Sequence, residues 1–455
     1  MTDAKASKTD KITSIMLKVS EPLSKFAARP VMKAIQNGLV TVMPLIIIGS
    51  LFLIVGLLGT DSITGSVLVP FLEPYASKLT VMNSLTMGFL SIYCAVAIPM
   101  AYAEQLGESQ KTCAVLGLAI FFTFTLSGVS DDGSIPTTAF SSVGLFAVII
   151  SSLVGTRLYK FIVDRHITIN MPDSVPPAVG ESFTSLIPFG IVLGVCWIVR
   201  TLIDFDFVAF LQTALTPFFT AADNIGVYTL ERAINAALWA IGLHGESVWT
   251  TPIFQPFMIM WTEQNSVAKA AGEALPHIWT LSGVDRISTW PALVWPLVAL
   301  MITSKVKYLR ALGIACLPAA FFGIVEPVIF GLPVALNPFL FIPFVLTAIL
   351  VAIFSYGFFA LGLCAKFFVT LPWAMPVFLL GPLGTGDLRT LIIIAGSFLI
   401  GLLVYLPFWR AFEAHEIERE REKLAKKAAR AAKKAALAKA EQAAESNEPT
   451  PALEG

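Results

Sequence analysis

Runs of apolar residues almost free of charge decide what this chain can fold into. The clearest are Val40–Leu58, Leu85–Ala103, Cys113–Leu126, Thr138–Val154, Leu186–Ile203, Pro291–Thr303, Phe339–Phe358 and Leu391–Phe408. A helix needs about 20 such residues to cross a hydrocarbon layer about 30 Å thick. Between these runs lie Phe207–Phe219, Ala233–Phe257, Gly313–Val334 and Phe367–Leu383, which are apolar but short or broken by Pro and Gly. Discontinuous or re-entrant segments have that pattern, because irregular backbone at membrane depth must be satisfied by protein. Composition agrees: of 455 residues 56% are apolar and 14% charged, where a soluble chain usually carries about 25% charge. The expected fold class is an all-α polytopic membrane protein. It should have about ten transmembrane helices, two re-entrant hairpins and amphipathic interfacial helices.

Much of the charge lies at the two ends, and the formal net charge is zero; the balance gives no reason to expect a nucleic-acid partner. Lys18, Lys25, Arg29 and Lys33 precede the first span, and Arg157, Lys160 and Arg165 lie in an expected loop after the fourth. Lys305, Lys307 and Arg310 precede Gly313, whereas Val129–Pro136 holds Asp131 and Asp132 and no cation. Alternate crossings from an inside N-terminus put every basic group in the cytoplasm. Both termini and residues 157–181 are therefore expected inside, with 129–136 outside. Met1–Asp10 is polar and no signal-peptide core follows, so the chain is expected to start uncleaved in the cytoplasm. Residues 13–35 fit an interfacial amphipathic helix interrupted at Pro22 and Pro30, or an ordinary pre-helix. Glu413–Glu445, rich in Ala, Lys, Arg and Glu, fits a solvated helix or a disordered tail attracted to anionic lipid.

Several chemistries have no motif here. There is no GxxxxGK[ST] phosphate loop, and the glycines of Gly381–Gly386 have the wrong spacing for a dinucleotide site. Cys94, Cys113, Cys196, Cys316 and Cys364 are scattered through apolar stretches, which suggests buried small residues rather than disulfides or a zinc site. No metal or cofactor is expected. Ionisable groups in apolar surroundings are costly and mark function by default. His244 lies between glycines in Trp239–Ser247, and Glu326 is followed at once by Pro327, which should open the helix beside it. The structural alternatives are a histidine bonded to a carbonyl and an acid at a wet helix end. Tryptophans are frequent in the second half, where Trp239, Trp249, Trp261, Trp279, Trp290, Trp295, Trp373 and Trp409 fit an interfacial belt. Trp373, between Pro372 and Pro376, is the best candidate for a platform under a sugar ring.

These residues resemble a known family. Lys33–Ser50, KAIQNGLVTVMPLIIIGS, is similar to the opening of enzyme IIC of the phosphotransferase-system lactose/cellobiose/N,N'-diacetylchitobiose family. Met171–Pro188, MPDSVPPAVGESFTSLIP, resembles its loop before the fifth span; GLHG (Gly242–Gly245), EPVIFGLPVALNP (Glu326–Pro338) and PWAMP (Pro372–Pro376) resemble its substrate motifs. The matches run in order up to about Trp409. The resemblance implies a homodimer in the bacterial cytoplasmic membrane, with the first five spans in the dimer contact. The second half would hold a disaccharide such as cellobiose, chitobiose or lactose between two re-entrant hairpins. A separate enzyme IIB would phosphorylate the sugar 6-hydroxyl from its phosphocysteine, so this chain is the transport component rather than the donor. The implied division is an N-terminal arm over 1–36, a dimerisation half over 37–204, a transport half over 205–409 and a cytoplasmic tail over 410–455.

Carried over by motif, Glu326 and His244 would act on the hydroxyl, with Glu326 accepting its proton. The sugar contacts would be His244, Gly245, Glu246, Glu326, Trp373 and Asn337. The chain departs from the family where asparagines commonly precede Glu-Pro: it has Gly323 and Val325. It also has Glu246 and Ser247 where an Asn commonly follows GxHG, so Glu246 is expected to replace one contact. An ion-coupled sugar carrier is the alternative, since it also builds sites from broken helices; a non-transporting receptor would need no buried His/Glu pair.

Overall fold

The computed structural model describes residues 21–22, 25–61, 66–126, 137–169, 171–172, 176–332, 334–335 and 337–445. The expected outward loop 129–136 and the start of the amphipathic arm lie outside them. Among the described residues the regular structure is helical, without a strand. Six helical stretches are long and apolar enough to cross a membrane: Pro30–Leu58, Pro70–Leu106, Ser142–Asp164, Val179–Leu202, Phe339–Ala360 and Thr390–Lys423. Gln110–Thr125 and Phe207–Phe218 are apolar but shorter.

The first half contains α1 (Pro30–Leu58), α2 (Ala76–Thr86), α3 (Leu90–Leu106), α4 (Gln110–Thr125), α5 (Leu145–Asp164) and α6 (Pro177–Trp197). Helix α1 packs on α2 and α3, and α4 and α5 pack on α3. Pro30 occupies the first turn of α1 rather than interrupting a helix, because a first-turn residue has no intrahelical N–H bond to lose. The span expected over Leu85–Ala103 is instead broken at Met87–Phe89. Arg157 and Lys160 are not in a loop: α5 runs on to Asp164, and Lys160 pairs with Glu108 at 2.9 Å and Asp164 at 3.0 Å.

The second half contains α7 (Phe207–Ala222), α8 (Ile225–Ala240), α9 (Gln255–Ala270), α10 (Val284–Ile287), α11 (Thr289–Ile302) and α12 (Lys307–Phe321). It continues with α13 (Glu326–Gly331), α14 (Pro338–Ala360), α15 (Val377–Thr385) and α16 (Thr390–Glu445). Helix α14 packs on α8 and α16, and α11 packs on α12 and α16. Polar contacts cross between the halves. Buried Glu263 of α9 accepts from the Ser142 backbone N–H at 3.0 Å and from its hydroxyl, and Ser50 of α1 accepts from Thr370 N–H at 3.0 Å. The charged tail continues α16 as a helix, and its start is docked rather than solvated. Glu413 accepts from Ser304 Oγ at 2.6 Å and Lys305 N–H at 2.8 Å, and Tyr308 donates to buried Glu416 at 2.6 Å.

Lipid supplies little hydrophobic drive between helices, so close packing at small residues holds them together. At Gly38 of α1 an added Cβ would lie 2.6 Å from Ile98 Cγ1 and 2.8 Å from Ile98 Cα of α3. A Cβ at Gly357 of α14 meets nothing within 4 Å. Gly38→Ala is therefore expected to cost about 1–3 kcal/mol, the usual penalty for overpacking, and to lower the thermal midpoint of the detergent-purified protein. Gly357→Ala should not lower it.

Candidate functional site

Two helix ends carry the site, and both end in the same way. Helix α8 stops at Ala240, and Gly242 follows in the left-handed region with φ +86°. The Leu243 N–H bonds to Leu238 O at 2.9 Å and Gly242 N–H to Trp239 O at 3.0 Å, a Schellman closure that turns the chain and delivers His244. Helix α12 stops at Phe321, Gly323 has φ +70°, and Ile324 N–H and Gly323 N–H bond back to Ala319 O at 2.9 Å and Ala320 O at 3.0 Å. That turn delivers Glu326. The helix opening expected at Pro327 is thus made by Gly323; Pro327 lies in the first turn of α13, where its missing N–H costs nothing.

His244 and Glu326 meet across a cavity of about 210 Å³, with Nε2 and Oε1 3.7 Å apart. The Ser247 N–H donates to His244 Nδ1 at 3.1 Å, so the neutral ring carries its proton on Nε2, facing the carboxylate. Among the described residues no carbonyl bonds the ring; the Ser247 N–H and hydroxyl meet Nδ1 instead. Glu326 Oε2 accepts from the Val325 N–H at 3.0 Å, which leaves Oε1 for the cavity. A separation of 3.7 Å exceeds a direct hydrogen bond, yet one hydroxyl oxygen can sit about 2.8 Å from both groups.

Glu246, Arg286, Trp239, Trp290 and Trp373 complete the walls. Glu246, Arg286 and Trp373 also line an adjoining cavity of about 330 Å³, bounded by Met43 and Ile47 of α1. Trp373 is 49% exposed. The belt expected of the other tryptophans is absent at Trp239, Trp261, Trp279, Trp290 and Trp409, all of them buried. They fill the protein interior, where Trp239 lies 4.2 Å from the His244 ring at a tilt of 47° and meets Trp290 edge-on at 6.0 Å. Gly245 serves close packing, since a Cβ there would lie 2.5 Å from Asn235 O. Asn337 lies outside the cavity lining and caps α14, its carboxamide oxygen accepting from Phe339 N–H at 2.9 Å.

Behind the cavity lies a charged cluster that the sequence reading passed over. Arg232 of α8 has a fully buried side chain and pairs with the neighbouring Glu231, with Glu246 Oε1 at 3.4 Å and with Asp285 Oδ2 at 3.5 Å. Asn235 donates to Glu246 Oε1 at 3.1 Å and to Thr250 Oγ1 at 2.7 Å, and Thr250 donates to Glu231. Glu246 is therefore anchored through one oxygen. The rule that picked out His244 and Glu326, charge in apolar sequence, applies equally to Glu231–Arg232 and Asp285–Arg286. In the sequence these adjacent opposite charges resemble a solvated helix face.

The phosphotransferase system EIIC family model matches residues 36–348. The chain is 30% identical to the lichenan permease IIC component of Bacillus subtilis (strain 168), over 91% of this chain and 96% of that one. It is 28% identical to the cellobiose-specific EIIC component of Geobacillus stearothermophilus, covering 87% and 93% of the two chains. The crystal structure of ChbC, the IIC component of the N,N'-diacetylchitobiose-specific phosphotransferase system, superposes with a TM-score of 0.80 at 27% identity. That match covers 88% of this chain and 97% of ChbC.

Removing one partner of a buried ion cluster leaves the other charges uncompensated. Arg232→Met is expected to cost about 3–5 kcal/mol, read as a large fall in the thermal midpoint in detergent. Combining it with Glu231→Gln should recover part of that fall.

Proposed function

The chain belongs to the phosphotransferase-system EIIC family, and from that premise we propose that its cavity presents a disaccharide 6-hydroxyl for phosphorylation. It is a sugar permease of the cellobiose, lichenan and lactose type, a multi-pass protein of a bacterial membrane that works with an EIIB partner. The ion-coupled alternative is not favoured. The observation that carries the proposal is the His244 Nε2–Glu326 Oε1 gap of 3.7 Å in a cavity walled by indoles. A sugar hydroxyl bridging it accepts from His244 Nε2–H and donates to Glu326 Oε1. As the hydroxyl oxygen attacks phosphorus, Glu326 takes its proton, and His244 holds the oxygen in line.

The substrate is a disaccharide such as cellobiose, chitobiose or lactose, one ring at the His244/Glu326 end and stacked on Trp373, the other in the adjoining cavity. Glu246 stands between the two, where the family's asparagine would be. Residues 37–204 form the dimerising half of a homodimer and 205–409 the transport half, with the arm 1–36 and the tail 410–455 in the cytoplasm against the lipid surface. The placement of Lys18, Lys25 and Arg29 before α1, of Lys33 in its first turn and of Lys305, Lys307 and Arg310 around the start of α12 supports this orientation. The six long stretches with the short α4 and α11 give eight crossings; about ten then require two more of the shorter second-half helices to traverse, with the segments around His244 and Glu326 re-entering as hairpins.

Glu326→Gln keeps size and some hydrogen bonding but removes the base. Sugar binding should persist while phosphorylation falls by about 10²-fold or more; His244→Gln should weaken both. Binding to purified protein and transfer from phosphorylated enzyme IIB must be measured separately. A wild-type transfer rate in Glu326→Gln would make Glu326 a hydrogen-bonding ligand only. Trp373→Ala should weaken binding by about 1–3 kcal/mol. Trp197→Ala, half-exposed on α6 and away from the cavity, is expected to leave it unchanged; equal losses would remove Trp373 from the sugar site.

A further inference from the structure

We infer that Arg286 hydrogen-bonds the phosphoryl oxygens during transfer to the sugar. The inference rests on the permease reading above and concerns a residue that reading leaves without a role. Arg286 lies on α10, four residues after Ser282, whose backbone is held in the left-handed region at φ +54°. Its side chain is only 20% exposed, yet it lines both cavities.

The side chain is partly buried, and its Nε is sealed from solvent. Its Nε has no hydrogen-bond partner among the described residues. Its contact with Asp285 Oδ2 is 3.9 Å, beyond hydrogen-bond reach, and that oxygen also faces Arg232 at 3.5 Å. The Trp290 ring beneath it, 6.0 Å from Cζ, offers only its π face. Nη1 and Nη2 make no hydrogen bond to a described residue and are not sealed, which leaves them free for a ligand in the cavities that Arg286 lines. An arginine fork matches the paired oxygens of a phosphoryl group.

The charge around the reacting hydroxyl gives the reason. Glu246 and Glu326 line the cavity, and the Ser247 N–H donates to His244 Nδ1, which leaves Nε2 toward Glu326. A phosphoryl group carrying about 1.5 to 2 negative charges would approach two carboxylates, and at low dielectric that repulsion is large. Among the residues lining this cavity, Arg286 is the one guanidinium, and there is no lysine. In the transfer step the sugar 6-oxygen forms a bond to phosphorus as the S–P bond of the enzyme IIB phosphocysteine breaks. The thiolate departs, Glu326 takes the hydroxyl proton, and Arg286 bonds the phosphoryl oxygens as their charge redistributes.

The test uses the full-length protein in detergent with labelled cellobiose, lactose and N,N'-diacetylchitobiose, and a phosphorylated cellobiose-type enzyme IIB as donor. In Arg286→Gln, affinity for the free sugar should stay within about threefold while transfer falls by about 10²-fold or more. The 6-phosphate of the same sugar should compete at least about tenfold less well than against wild type, because the phosphate has lost its fork. Arg286→Lys, which keeps charge without the fork, should recover part of both. Transfer at the wild-type rate in Arg286→Gln overturns the inference. So does a loss of free-sugar affinity as large as the loss of transfer in both variants, with a monodisperse chain, since Arg286 would then hold the sugar itself. A wild-type protein that binds none of the three sugars and supports no phosphoryl transfer to them sinks the permease-site reading, and this inference falls with it.

Discussion

The site depends on one guanidinium sealed from water. Arg232 joins Glu231 on its own helix, Glu246 on the turn after α8 and Asp285 on α10. None of those elements could carry its charge inside an apolar bundle alone, since an unpaired buried ion costs several kcal/mol. Held together, they fix the short, irregular segments that a bilayer would otherwise penalise. Asn235 and Thr250 add hydrogen bonds to this cluster, Asn235 to Glu246 and Thr250, and Thr250 to Glu231. The cluster is therefore the frame on which Glu246 and Arg286 are mounted.

The irregular backbone around the cavity is built with the same economy. Helices α8 and α12 each end in a left-handed glycine whose two returning hydrogen bonds satisfy the last carbonyls. Closing the helix ends internally leaves few backbone groups exposed at depth, where water is scarce. Each turn also delivers one functional side chain, His244 from the first and Glu326 from the second. The Ser247 and Val325 N–H groups then fix which atom of each faces the other. A neutral imidazole donating toward a carboxylate is suited to hold a hydroxyl between them. Arg286 lines the same cavity and is the one guanidinium among its lining residues.

Much of this was legible in the chain. Apolar runs and their flanking charges identify a helical membrane protein, because the length of an apolar run is measured against a fixed bilayer thickness. His244 and Glu326 could be picked out because charge is rare in such sequence, and Trp373 because prolines flank it on both sides. Asn337 shows the opposite case: it belongs to a recognisable motif, yet the fold uses it to cap α14. Glu231–Arg232 and Asp285–Arg286 show why pairing was hidden, since adjacent opposite charges look alike whether they face water or each other. The tryptophans mislead for a related reason, because an indole suits an interface and an interior equally well, and only packing distinguishes them.

The sequence by itself therefore determined the environment, the helical class and the two residues that face each other across the cavity. These follow from composition and local pattern, which every residue carries with it. Tertiary structure decided which proton His244 keeps, that Gly323 rather than Pro327 opens the path to Glu326, and that Arg286 is left without an acceptor beside them. Each of these depends on groups distant in sequence approaching within a few ångströms. At low dielectric such short distances set which charges are satisfied and which remain available for a ligand.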